Sequence, residues 1–216
     1  MKRIGVVLVM TLGMLAMPRP GSAQPPRWML AGAIDYTRLT EDESFLGAGV
    51  GASGSVGWRL TEATGIEVEA GLTRHVRDLH FVAVAHDGGG RIQPVPYTER
   101  WQGTATFLTA SLSHSFGSGR ARPMLWGGGG FMWHGGTRRG PVAAPQVPAG
   151  LVLQPGDAQT REGAGSRGLA ADGGFGVDVR VARRLTLRPF AGLRVVNTGE
   201  VGPKYIVRTG IRVGFQ

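Results

Sequence analysis

The clearest pattern in the chain is an alternation of apolar and polar residues that fills its C-terminal part. In the runs Leu169 to Val181, Leu185 to Val195 and Tyr205 to Phe215, every second residue is mostly apolar, and the intervening residues are small or charged. A period of two predicts β-strands, because successive side chains of a strand point to opposite faces, whereas a helix needs apolar residues three and four apart. The pattern therefore predicts three consecutive strands.

The same alternation predicts five earlier strands, joined by connections of alternating length. The strands are expected at Trp28 to Tyr36, Phe45 to Leu60, Ile66 to Thr73, Trp101 to Phe116 and Arg122 to His134. Short turns are expected at Thr61 to Thr64, Gly117 to Arg120 and Ala182 to Arg184, and longer loops at His75 to Arg100, Gly135 to Ser166 and Asn197 to Lys204. The first long segment is interpreted as a loop because it contains the Asp87 to Gly90 break and two prolines.

The N-terminus has the three parts of a secretory signal peptide. Lys2 and Arg3 precede the apolar run Ile4 to Met17, and small residues follow up to Ala23. Such a segment is removed after export, so residues 1–23 are predicted to be a signal peptide and residues 24–216 a single β-barrel domain. The chain contains no cysteine, which excludes disulfides, a thiolate metal site and a lipoprotein anchor.

Net charge and lysine content argue against two other classes of protein. The formal charge is +9, and +6 remains without Lys2, Arg3 and Arg19. The arginines are spread along the strands and loops, so no nucleic-acid partner is expected. The lysines are Lys2 and Lys204 alone, although a water-soluble β-protein normally uses lysine to protect its surface and its strand edges.

Alternation alone fits a barrel in lipid or a soluble barrel of opposite polarity, such as a lipocalin-like protein with an apolar ligand inside. Small polar faces, scarce lysine and aromatic residues at strand ends favour lipid. The predicted fold is an all-β, eight-stranded antiparallel up-and-down transmembrane β-barrel. Its aromatic belts are expected to contain Trp28, Tyr36, Trp58, Phe116, Tyr205 and Phe215.

Charged residues on the polar faces are predicted to pair inside the barrel. An eight-stranded barrel has room inside only for side chains, and an unpaired buried charge costs several kcal/mol. The predicted lumen network consists of Glu67, Glu69, Asp172, Asp178, Arg180, Arg188, Arg194, Arg208 and Arg212.

Three segments resemble a known family of membrane barrels. RPMLWGGGGF, GLAADGGFGVDVRVARRLTLRPFAGLRV and GIRVGFQ are similar to the outer-membrane barrel domain of the small porin-like family that includes OmpA-like and OmpX-like barrels. The resemblance implies residence in outer-membrane lipid and insertion by the barrel-assembly machinery, which reads a C-terminal strand ending in an aromatic residue. Here Phe215 is penultimate and Gln216 is last. The family contains adhesins, structural proteins and a few enzymes, so it does not define an activity.

Candidate chemistry in the sequence is sparse. His114 and Ser115 form the one close His-Ser pair and loosely resemble a lipid deacylase motif, but adjacent strand residues point to opposite faces. His75, His80 and His86 match no metal-ligand spacing. Gly127 to Gly130 lacks the Lys-Ser/Thr of a phosphate loop and is interpreted as close strand packing. No catalytic residue, metal or cofactor is therefore predicted.

The sequence predicts a non-enzymatic outer-membrane barrel with a largely plugged lumen, acting structurally or by surface binding through its extracellular loops. A soluble barrel with an apolar ligand and an outer-membrane acyl hydrolase are the alternatives. A wide pore is not expected, because bulky arginines would fill so narrow a barrel.

Overall fold

The computed structural model describes residues 27–39, 47–87, 89–154, 159–197 and 203–215. The predicted signal peptide, the beginning of the second predicted strand at Phe45 and the terminal Gln216 lie outside the described residues. No helix long and apolar enough to cross a membrane occurs in the described part of the chain.

Eight long strands form one closed antiparallel barrel. They are β1 (Arg27–Leu39), β2 (Ala48–Arg59), β3 (Thr64–His86), β4 (Ile92–Ser115), β5 (Ala121–His134), β9 (Ser166–Ala182), β10 (Leu185–Asn197) and β11 (Lys204–Phe215). Each strand pairs with its predecessor among these eight, and β1 pairs with β11 from Leu30↔Phe215 to Leu39↔Ile206, which closes the barrel. The predicted eight-stranded up-and-down architecture is thus confirmed.

Three short strands lie between β5 and β9, within the segment predicted as the longest loop. They are β6 (Arg138–Pro141), β7 (Val152–Leu153) and β8 (Arg161–Glu162). The first pairs with residues 99–102 of β4, and β7 pairs with the end of β3 at Ala85 and His86. This segment therefore extends the barrel wall at the end opposite the short turns.

The prediction of a loop from His75 to Arg100 is wrong. β3 and β4 remain paired from Thr64↔His114 to His86↔Ile92, so they form one long β-hairpin that extends beyond the barrel. Pro94 and Pro96 pair with β3 on one side only, because β6 pairs with β4 at residues 99–102 and not at the two prolines. Proline is accepted in a strand where its missing N–H is not needed by a neighbour, and for this reason the prolines did not interrupt the hairpin.

Outside, the barrel is apolar, and inside it is polar. Leu30, Ile34, Val68, Phe175 and Ile211 point outward, and Ile34 is 68% exposed. Acids and arginines occupy many of the inward positions, and Glu67 and Arg208 are each only 2% exposed. This polarity is the reverse of a soluble barrel, whose apolar side chains would fill the interior.

Glycines on the inner face make room for the larger side chains. A Cβ at Gly174 would lie 2.5 Å from Cζ2 of Trp126, and one at Gly192 would lie 2.9 Å from the same atom. A Cβ at Gly71 would lie 2.5 Å from Cζ of Phe107. Glycine is therefore required at these positions by space, because the lumen is too narrow for two side chains at one level.

Candidate functional site: the lumen and its two mouths

Nine side chains form a continuous chain of ion pairs through the lumen, with acids and arginines alternating. At the end of the barrel that carries the short turns, Arg188 bonds Asp178 at 2.7 Å and lies 3.5 Å from Glu67. Arg212 links Glu67 to Glu69, and its Nη2 lies 2.7 Å from Glu69 Oε2. Most of the acids come from β3 and β9 and the arginines from β10 and β11, so several of these pairs cross the barrel interior.

Arg208 forms ion pairs with more partners than any other residue of this ion-pair chain. Its guanidinium lies 3.0 Å from Glu69, 2.7 Å from Asp35 and 2.8 Å from Asp172. Asp172 also accepts a 2.6 Å contact from Arg194. Charge-assisted bonds of this kind compensate for desolvation only when most donors and acceptors are used. Among the described residues, Asp172 Oδ1 and Arg212 Nε are the atoms of this network that are buried without a hydrogen-bond partner.

Aromatic faces complete the packing around the arginines. The guanidinium carbon of Arg194 lies 3.8 Å from the ring centroid of Phe107, and that of Arg208 lies 5.1 Å from the same centroid. Phe190 lies 5.7 Å from both Arg208 and Arg212. An arginine stacked on a ring keeps its planar edge free to bond carboxylates.

Beyond the ion pairs, toward the end that carries the longer connections, the lumen contains a buried apolar layer. Seven inward-facing residues form it: Leu39, Ala105, Phe107, Met132, Ala170, Val196 and Ile206. The alternation pattern did not predict this layer, because the inward positions were expected to be polar throughout.

Eight of the nine predicted lumen residues lie in this ion-pair chain, and Arg180 does not. Arg180 is exposed near the turns, and no salt bridge of its side chain is found among the described residues. The strand alternation does point Arg180 to the inner side. Arg180 lies near the end of β9, however, beyond the point where the barrel wall encloses the lumen. Asp35, which the prediction omitted, takes the ninth place. Its position between the outward-facing Ile34 and Tyr36 was the available signal.

The six predicted belt residues all project outward near strand ends. Trp28 and Trp58 face each other across β1 and β2, with ring centroids 4.6 Å apart. Phe116 and Phe215 are exposed at the same end of the barrel as the turns, and Tyr36 and Tyr205 are exposed at the opposite end. The glycine-rich β5 follows the same rule, since Leu125, Phe131 and Trp133 point outward.

The long β3–β4 hairpin is held rigid by the chain that packs beside it. Ala85, Val95 and Leu151 form a small buried cluster, with Val147 and Leu153 against it. On the other face, Asp78 and Arg100 form a bidentate pair at 2.7 Å, and the same pair lowers the pKa of Asp78. Val82 and Ile92 are exposed on that face.

Two histidines lie close together near the mouth at the hairpin end, and His75 is 1% exposed. The rings of His75 and His134 are stacked with centroids 6.4 Å apart. Burial is the main cause that lowers the pKa of both. Electrostatic interaction with His134 lowers the pKa of His75 further, and interaction with Lys204 lowers that of His134. Within the described residues, no group of three or more His, Asp or Glu side chains could hold a metal ion.

The His114 and Ser115 pair is divided between two environments. Nδ1 of His114 lies 3.0 Å from the Thr64 hydroxyl, and its ring packs on Phe116. Ser115 instead donates to Asp178 inside the lumen at 3.2 Å. The two side chains therefore form no hydrogen-bonded relay, as the strand geometry predicted.

This architecture defines the class of protein: a closed eight-stranded antiparallel barrel with an apolar outer belt and an ion-paired interior, which is the construction of a transmembrane β-barrel. No protein-family model matches the chain, and no curated protein matches it in sequence.

Several solved structures are similar to it. Neisserial surface protein A matches at 12% identity with a TM-score of 0.47, covering 89% of this chain and 99% of that one. Ail, the attachment invasion locus protein of Yersinia pestis, matches at 11% identity with a TM-score of 0.49, covering 89% of this chain and 100% of that one. Outer membrane protein W of E. coli matches at 15% identity with a TM-score of 0.37, covering 90% of this chain and 100% of that one.

Proposed function

We propose that this protein is a non-enzymatic outer-membrane β-barrel with a plugged lumen, which acts at the cell surface through the β3–β4 hairpin and the segment between β5 and β9. Outer-membrane lipid surrounds its apolar belt, and the barrel-assembly machinery inserts it after the signal peptide is removed. No nucleic acid takes part.

The observation that carries the proposal is the ion-pair chain around Arg208. Arg194 and Arg208 are each 2% exposed, and the apolar layer that includes Phe107 packs beyond them. A hydrated solute would have to separate these charges, and breaking a buried pair costs about 3–5 kcal/mol. The interior therefore serves stability rather than transport.

Surface binding is assigned to the hairpin end for a structural reason. Binding residues usually lie on segments that a rigid scaffold positions. Here the hairpin is extended by continuous pairing and supported by the buried contacts of Ala85, Val95 and Leu151. It presents Val82 and Ile92, which are 65% and 70% exposed, beside the Asp78–Arg100 pair. Such a surface suits a protein or polysaccharide partner with both apolar and polar groups.

The experiment combines location and conductance. Membrane fractionation with gels run before and after boiling should place the protein in the outer membrane, with faster migration of the unboiled barrel. In planar lipid bilayers, the wild-type protein should show no steady conductance. Recovery as a soluble protein would contradict the location, and a stable open current would contradict the plugged lumen.

A further inference from the structure

The end of the barrel with the short turns carries six arginines, and their environment differs from that of the lumen arginines. Apart from Arg27, which begins β1, they are Arg59, Arg120, Arg122, Arg180, Arg183 and Arg184. Arg188, Arg194, Arg208 and Arg212 each contact at least one carboxylate inside the barrel. None of the six forms a salt bridge among the residues that the structure describes.

Three of the six converge on the opening of the lumen. Arg59 ends β2 on the inner face, beside a narrow cleft that Ser115, Asp178 and Arg188 also line. Arg122, near the start of β5, pairs in register with Asp178 and reaches across the opening to donate Nη1 to the Glu62 carbonyl at 3.2 Å. Arg180 follows Asp178 by two residues, so the strand alternation points it to the same side.

Positive charge exceeds negative charge at this opening. Glu62 and Asp178 are the acids that line the cleft, and Arg188 lines it together with Arg59. Burial is the main cause that lowers the pKa of Arg59, and Arg122 lowers it further. Asp178 opposes this lowering, and Arg180 and Arg188 add smaller lowering effects. Asp178 is already engaged by Arg188 at 2.7 Å and by Ser115 at 3.2 Å. The opening is therefore a region of unbalanced positive charge next to polar groups.

We propose that Arg59, Arg122 and Arg180 form a binding site for a soluble, multiply charged anion that carries phosphate or carboxylate groups. Guanidinium groups bind such oxyanions through paired N–H donors, and an anion would relieve their mutual repulsion. The site faces the barrel axis, whereas lipid head groups surround the outer perimeter, so the ligand arrives from the aqueous compartment. Its placement on the periplasmic side depends on the proposed outer-membrane function, but the site itself does not.

Isothermal titration calorimetry on the folded barrel in non-ionic detergent provides the test, with pyrophosphate and citrate as probes. The site variant is Arg59→Gln/Arg122→Gln/Arg180→Gln. The matched control is Arg120→Gln/Arg183→Gln/Arg184→Gln, which removes the same charge from exposed turn positions. We expect the site variant to bind the better probe at least about tenfold more weakly, and the control to remain within about twofold of wild type.

Three results would overturn the proposal. The first is no binding of either probe by wild type, and the second is equal weakening of probe binding in both variants. The third is displacement of the probe by phosphatidylglycerol in mixed detergent micelles, which would assign the arginines to lipid. A preference between pyrophosphate and citrate identifies phosphate or carboxylate as the source of the charge. Each variant is first checked for the unboiled gel shift. If the site variant lacks it, Arg122→Gln is measured instead, and about threefold weakening is expected. Failure of the outer-membrane assignment appears in fractionation, independently of this titration.

Discussion

Replacement of Arg208 by leucine gives the sharpest test of the ion-paired lumen. Arg208 contacts three carboxylates, but they do not depend on it equally. Glu69 keeps its 2.7 Å contact with Arg212, and Asp172 keeps its 2.6 Å contact with Arg194. Asp35 has Arg208 as its one salt-bridge partner among the described residues, and its side chain is 1% exposed. The variant therefore leaves one buried carboxylate without a counter-charge.

The expected loss follows from that count. Removing one partner of a buried ion pair costs about 3–5 kcal/mol, because the remaining charge stays desolvated. Adding Asp35→Asn to Arg208→Leu removes the unpaired charge and should recover about 2 kcal/mol, leaving the smaller cost of an unsatisfied neutral group. Arg180→Leu is the control, since Arg180 is exposed and should change the free energy of unfolding by less than about 0.5 kcal/mol.

Reversible urea unfolding of the barrel in lipid vesicles, followed by tryptophan fluorescence, measures these differences. Wild type and Arg180→Leu should be the most stable, the Arg208→Leu/Asp35→Asn double variant should be intermediate, and Arg208→Leu should be the least stable. Equal stability of Arg208→Leu and Arg180→Leu would show that the lumen charges are solvated, and the interpretation of the interior would be refuted. A double variant weaker than Arg208→Leu would show that Asp35 contributes by packing instead of charge.

Three further predictions concern the wall, the belt and the mouth. A Cβ at Gly128 would clash with the backbone carbonyl of the paired β4 strand, whereas one at Gly127 would meet nothing within 4 Å. In the same urea assay, Gly128→Ala should lower the free energy of unfolding by about 1–3 kcal/mol or prevent folding, and Gly127→Ala should leave it unchanged. Val68→Arg places a charge on the outward face and should lower stability in vesicles by about 2–4 kcal/mol, while an unchanged value would mean that this face does not contact lipid. The pKa of both His75 and His134 is lowered in the folded protein, so the unfolded chain binds protons more readily. The stability that these neutral rings contribute is therefore present above the ordinary histidine pKa and falls as pH drops below it. A His75→Gln/His134→Gln variant should lose this part of the pH dependence of stability, and retention of the full wild-type slope would assign it to other groups.

Strand number, connectivity and face polarity could all be predicted from the chain, because a period of two is a local property of the backbone. The alternation placed Glu67 and Arg208 on the same side as their neighbours two residues away, and the short turns showed which strands are adjacent. The hairpin from His75 to Arg100 was missed because glycine and proline are turn signals on average, although a strand edge without a paired neighbour tolerates proline. Asp35 was missed because its strand was described only by its apolar set.

By itself, then, the sequence determined that eight amphipathic strands with alternating connections would have to close on themselves, since each strand must pair both edges and bury one face. Only the tertiary structure decided which acid meets which arginine, because β3 and β11 are distant in the chain and face each other only across the closed barrel. It also separated Arg208, surrounded by three carboxylates, from Arg180, which has the same alternation but lies where the wall ends. Alternation specifies a direction for each side chain, whereas its height in the barrel and its partners depend on strand register.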